Sequence, residues 1–89
     1  MTVYVDDGRW PLGRMLMAHM AADPHAELEA MARTLELRPE WLQHGGTWRE
    51  HYDICQAKRR QAIERGAVAV GRREMIRILR RNRPPVSTL

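Results

Sequence analysis

His19 stands inside the apolar run Met15-Leu16-Met17-Ala18-His19-Met20-Ala21-Ala22, with Asp23 directly after it. The triplet His51-Tyr52-Asp53 follows further on, and Asp6-Asp7 lies near the start of the chain. An imidazole titrates near neutral pH and can act as general acid, general base or metal ligand, and a neighbouring carboxylate orients its ring. His19, His51 and Asp53 are therefore the candidate catalytic residues. Asp6, Asp7, Arg14, Asp23, Tyr52 and Arg59 are the candidate ligand-binding residues around them. These types suit proton transfer, phosphate handling or metal binding, and their spacing selects none of the three. Each also has a purely structural use: Asp23 and Asp53 as helix N-caps, Asp6-Asp7-Gly8 as a turn, and His19 as a hydrogen-bonded core residue.

Other chemistries find less support. Zinc sites normally carry closely spaced ligand pairs such as CxxC or HExxH, and neither occurs here, so spacing assigns no metal site and no cofactor. An Asp-rich magnesium site at Asp6-Asp7 is the residual metal option. Cys55, the single cysteine, has no disulfide partner in the chain and falls on the apolar side of an expected helix, where a thiol is inert. There is no GxGxxG and no P-loop, so a phosphate would have to be held by arginine and a helix start.

Charge is divided along the chain. Residues 1–57 carry five basic and nine acidic side chains, whereas residues 58–89 carry ten basic and two acidic. All the basic residues but Lys58 are arginine, which forks onto carboxylates and phosphates. The basic half thus suits nucleic acid, a nucleotide or an acidic surface, and the acidic half of the same chain is a further partner. Glu27, Glu36 or Glu40 would then pair with C-terminal arginines. Arg73, Arg77, Arg80 and Arg81 form a basic stripe at helical spacing. The N-terminus lacks the pattern of a signal peptide, and no apolar stretch approaches the roughly 20 residues that span a bilayer. A cytoplasmic protein without a membrane partner is the expectation.

Eighty-nine residues suffice for one domain with a modest core, and Phe is absent, so Leu, Ile, Val, Met, Trp and Tyr must supply its bulk. Homodimerisation is a common aid to scaffolds of this size. Thr2–Val5 reads as a strand ending in a turn, and residues 10–13 as a loop. Residues 14–20 alternate and read as a second strand, although Met and Ala favour helix. Asp23-Pro24 predicts the start of a helix running to about Leu37, with Leu28, Met31, Ala32 and Leu35 inward. Residues 38–42 make at most one turn. Asp53 would cap a helix from Ile54 to Arg65 closed by Gly66, with His51-Tyr52-Asp53 opening it. Ala67–Val70 reads as a strand buried on both faces, and residues 72–82 as a last helix with Met75, Ile76 and Leu79 inward. The expected fold is α/β: one domain over 1–83, a short, partly parallel sheet of two to three strands covered by about three helices, and a flexible tail over 84–89. In such sheets ligands gather at the carboxyl ends of strands, which would place Asp6, Asp7, His19 and Asp23 on one rim.

Val5-Asp6-Asp7, Pro11-Leu12-Gly13-Arg14-Met15, Met17, His19-Met20, Ala22-Asp23, Glu27-Leu28, Met31-Ala32, His51-Tyr52-Asp53, Lys58-Arg59, Gly66-Ala67 and Arg73-Glu74 follow one another in an order that resembles the small bacterial and phage family called domain of unknown function 4031. The likeness runs from residue 3 to about residue 80. It implies that His19, Asp23, His51 and Asp53 belong to one set, and it implies no activity. Two positions depart from the pattern: Glu29 stands where an ELH motif would have His, and Glu36 where Gly would precede Leu37. The first removes a further imidazole from the set.

The leading expectation is a small module whose His/Asp site binds a phosphate-bearing ligand, a nucleotide or a nucleic-acid end, with phosphoester hydrolysis as the natural reaction. The competing one is a non-catalytic phage or bacterial interaction module, in which the arginine helix binds nucleic acid or an acidic protein. The sequence leaves open whether the protein is an enzyme. The two expectations separate on whether His19 and His51 share a cleft.

Overall fold

The computed structural model describes residues 2–84. Six strands and three helices follow in the order β1 (Thr2–Val5), β2 (Trp10–Leu12), β3 (Met15–Asp23), α1 (His25–Thr34), β4 (Leu42–Gln43), β5 (His51–Cys55), α2 (Gln56–Glu64), β6 (Val68–Ala69) and α3 (Arg72–Arg81), with a 3-10 turn over Pro39–Trp41. The strands form one mixed sheet in the order β4-β5-β3-β1-β6, and β2 lies beside β3 beyond the end of β1. The class is the α/β expected, but the sheet has six strands where two to three were expected. Only β1 and β6 run parallel; the other pairs are antiparallel.

Strand β3 organises the molecule. Its successive side chains point to opposite faces of the sheet, and residues on both faces are buried, Ala18, Met20 and Ala22 on one and Met17 and Ala21 on the other. Ala18, Met20 and Ala22 join Val3 and Val5 of β1 and Tyr52 and Ile54 of β5 in the core, where Leu28, Ala32 and Leu35 pack from α1 and Ala62 from α2. Met17, His19 and Ala21 point to the other face with His51 and Asp53. Helix α3 approaches this second face, burying Met75 and Ile78, and its Arg81 reaches the Tyr4 hydroxyl. The helix turns inward on Met75 and Ile78 rather than on Ile76, which is exposed.

Several elements differ from the sequence expectation, each for a local reason. Trp10–Leu12 is an edge strand rather than a loop; an edge tolerates Pro11 because an outward-facing position needs no N–H. Gly13, at φ 61, makes the tight turn back into β3. Asp23 stays in the β1–β3 ladder opposite Thr2, so Pro24 takes the cap position of α1 that Asp23 was expected to fill. His51-Tyr52-Asp53 forms β5 and does not open a helix: the triplet alternates half-buried, buried, half-buried, and α2 starts only after Cys55. Val68 and Ala69 form an exposed edge strand, against the expectation of burial on both faces. Among the described residues Glu27, Glu36 and Glu40 pair with no arginine; Arg77 pairs instead with Glu74 one turn away. Pro84 closes the described chain, and the rest of the expected tail, 85–89, lies outside the described residues.

Both central helices end in the same way. After α1, the Leu37 N–H donates to the Ala32 carbonyl (2.9 Å) and the Glu36 N–H to the Arg33 carbonyl (3.0 Å), with Glu36 at φ 60. After α2, Ala67 and Gly66 donate to Ala62 and Ile63 in the same pattern, with Gly66 at φ 104. This is the Schellman closure, whose left-handed residue favours glycine and whose following residue returns to the core. Leu37 and Ala67 are buried accordingly.

Candidate functional site

Between β1 and β2, four residues (Asp6–Arg9) lie opposite only two residues of β3, Ala18 and His19. The extra length turns the buried Asp6 carboxylate back onto His19. Its Oδ1 accepts the His19 backbone N–H (2.8 Å) and the Gly8 N–H (3.1 Å), while Oδ2 accepts the ring Nδ1–H (2.7 Å). Arg59 of α2 holds the bulge from behind, donating Nε–H to the Asp6 carbonyl (2.7 Å).

The β3–β5 register sets Asp53 directly opposite His19 and brings His51 in on the same face. The His19 and His51 rings meet edge to face at 5.1 Å. Asp53 Oδ1 lies 3.7 Å from His19 Nε2 and 3.5 Å from His51 Nε2. It is buried and has no hydrogen-bond partner among the described residues. His51 Nδ1–H donates to the Arg49 carbonyl (2.8 Å). Both imidazoles are thus tied back through Nδ1, which leaves both Nε2 atoms facing the Asp53 carboxylate.

Electrostatics follow from this arrangement. The hydrogen bond to Asp6 holds the His19 imidazole above its ordinary pKa, against partial burial, and the Asp6 and Asp53 charges add to the effect while Arg72 opposes it. Burial pushes Asp6 upward, but the His19 hydrogen bonds and charge outweigh it and bring the carboxyl below its usual range. Two depressions flank His19. One, of about 190 Å³, is lined by Asp6, His51, Arg49, Arg72 and the apolar side of α3; the other, of about 420 Å³, by Gly8, Arg9, Trp10 and Arg72.

The structure brings together His19, His51, Asp53 and Asp6. The remaining candidates lie elsewhere. Asp7 is exposed on the bulge, and Arg14 sits in the β2–β3 turn. Asp23 lies at the far end of β3, because β1 and β3 run antiparallel and their carboxyl ends share no rim. Tyr52 faces the core side, where burial first, and then Glu29 and Glu50, push its phenol up. Arg59 braces the bulge. Arg73, Arg77, Arg80 and Arg81 are exposed on α3. Arg49 and Arg72 were not singled out from the sequence; Arg49 has the same strand-parity offset from His51 as His51 from Asp53, and Arg72 follows the helix-opening Gly71. Of the three converging groups, His51 and Asp53 are two residues apart on β5, and only His19 comes from another strand, β3.

A model of the family described as Protein of unknown function (DUF4031) matches residues 3–82. The chain belongs to this family. Comparison with curated proteins and with solved structures found no match. Within this DUF4031 chain, Glu29 lies on α1 with His25 and Arg33, across the sheet from His19, so a histidine there would not join the His19–His51 pair. Glu36 occupies the left-handed position after α1, which explains why glycine would suit it. Lys58 and Arg59 both brace the scaffold: Lys58 Nζ donates to the Leu35 carbonyl (2.6 Å) at the end of α1, as Arg59 does to Asp6.

Proposed function

We propose that the protein binds a phosphate-bearing ligand, a nucleotide or a nucleic-acid end, on the α3 side of its sheet and hydrolyses a phosphoester there. The supporting observation is that His19, His51 and Asp53 meet on one sheet face while Arg49 and Arg72 line the depression beside them. Guanidinium groups match phosphate oxygens, and Arg72 also opens α3, the end of a helix that favours anions. Hydrolysis adds water to phosphorus, breaks the phosphorus–ester oxygen bond and delivers the water's proton to the departing oxygen, so it needs no other reactant. Two carboxylates oppose this ligand: Asp6, whose charge is paired with His19, and Asp53, whose Oδ1 has no hydrogen-bond partner among the described residues.

The test is an imidazole NMR titration of chelator-treated protein with inorganic phosphate and with adenosine monophosphate. The His19 and His51 ring signals should move together, and Arg72→Ala should weaken the response. Rings indifferent to both probes would sink the reading.

A second reading is supported by the exposure of Arg73 and Arg80, which make no ion pair among the described residues. The α3 stripe would then contact nucleic acid, with affinity falling steeply as salt rises. Replacing Arg73, Arg77 and Arg80 together should weaken all sequences alike; binding indifferent to salt would exclude this use.

A further inference from the structure

We propose that His19 Nε2, His51 Nε2 and Asp53 Oδ1 form a binding site for one divalent transition-metal ion, with Zn2+ the best match. One ligand atom from each of the three residues lies within 4.8 Å of the other two. The two nitrogen–oxygen separations, 3.7 and 3.5 Å, compare with about 3.4 Å along the edge of a tetrahedron built on ~2.05 Å bonds. Small side-chain rotations close the difference.

Protonation geometry supports the same conclusion. A carboxylate and a backbone carbonyl each accept from Nδ1, so in the neutral rings the proton sits on Nδ1 and the Nε2 lone pair is free. Two lone pairs and a carboxylate oxygen therefore face a common point, and Asp53 Oδ1 is buried without a donor to satisfy it. A cation at that point satisfies all three. Ligand histidines typically donate their other N–H to a carboxylate or a backbone carbonyl, and His19 and His51 show one of each. Three protein ligands leave at least one position open to water or to a phosphate oxygen, beside Arg72. The ion would also reverse the local charge, so that Asp53 no longer opposes an anionic ligand. This inference goes beyond anion binding and stands independently of it.

The experiment strips the full chain with a chelator and titrates it with Zn2+ alone by calorimetry, then repeats the loading with Co2+ and records the visible spectrum. One ion per chain is expected, with Co2+ bands marking nitrogen and oxygen ligands. His51→Ala and Asp53→Asn should each abolish stoichiometric binding while circular dichroism shows the fold retained. Asp6→Asn, which leaves all three ligands in place but alters the partner of the His19 Nδ1–H, should weaken affinity about tenfold or more in protein that remains folded. His44 is exposed, with its ring 5.9 Å from that of His51; binding unaffected by Asp53→Asn but lost in His44→Ala would place the ion on exposed imidazoles and overturn the proposal, as would no binding of either ion. Phosphate binding by chelated protein that takes up no metal would defeat this inference alone. Metal binding without a phosphate response would defeat only the proposed function.

Discussion

Asp6 grips His19 at two points, accepting its backbone N–H on Oδ1 and its ring N–H on Oδ2. One carboxylate therefore fixes both the path of β3 and the orientation of the imidazole it carries. An amide cannot replace it without turning its NH2 group toward the Gly8 and His19 N–H groups or toward the ring N–H. Asp6→Asn should destabilise the protein by about 1–3 kcal/mol, the cost of an unsatisfied buried group. Urea denaturation measures this, and an unchanged midpoint would show that the bulge is held by Arg59 alone.

The same pair sets a pH window for the metal-free protein. Asp6 lies below 3.8 in the fold, so its contribution is present above that value and is lost as pH falls through the folded pKa. His19 lies above 6.5, so its contribution is complete below that value and disappears as pH rises through the folded pKa. The pair contributes most between the two reference values, and stability should decline on either side. Denaturation midpoints across pH, compared between wild type and Asp6→Asn, check this. Parallel curves would remove the pair as the cause.

Glu36 holds a left-handed conformation at φ 60 where its side chain gains nothing in return among the described residues. Glu36→Gly should stabilise the protein by about 0.5–1 kcal/mol, since relief of the left-handed cost exceeds the added freedom of the unfolded chain. Gly66→Ala, at φ 104, should do the opposite by a similar or larger amount. Thermal melts of the two variants should move in opposite directions; a shift in the same direction would contradict the shared closure of the two helices.

Lys58 spans from α2 to the last carbonyls of α1, donating to Leu35. Lys58→Met keeps the unbranched apolar stem, one atom shorter, and removes the donor, and should cost about 1–2 kcal/mol for a charged hydrogen bond to a partly buried acceptor. Faster amide exchange confined to residues 33–37 would locate the effect. Uniform acceleration would show a global loss instead.

Much of this protein was legible in its sequence. The β-branched pattern of Thr2–Val5, the apolar stripe of α1 and the glycine after α2 are local signals, and each produced the element expected of it. The residues of the candidate site were also visible as types, because a histidine in an apolar run and carboxylates near a turn are out of place for any core. Pairing was not visible. The alternation of residues 14–20 already read as a strand, but His51–Cys55 is one because it lies against β3 in the ladder, an energy that no local propensity contains. That pairing moved Asp53 from a helix cap to the position opposite His19, and the antiparallel course of β1 carried Asp23 out of reach. Local sequence thus determined which groups could do chemistry, through side-chain type and backbone preference. Strand register alone decided which of them meet, because residues 32 and 34 apart become neighbours only when two strands share hydrogen bonds.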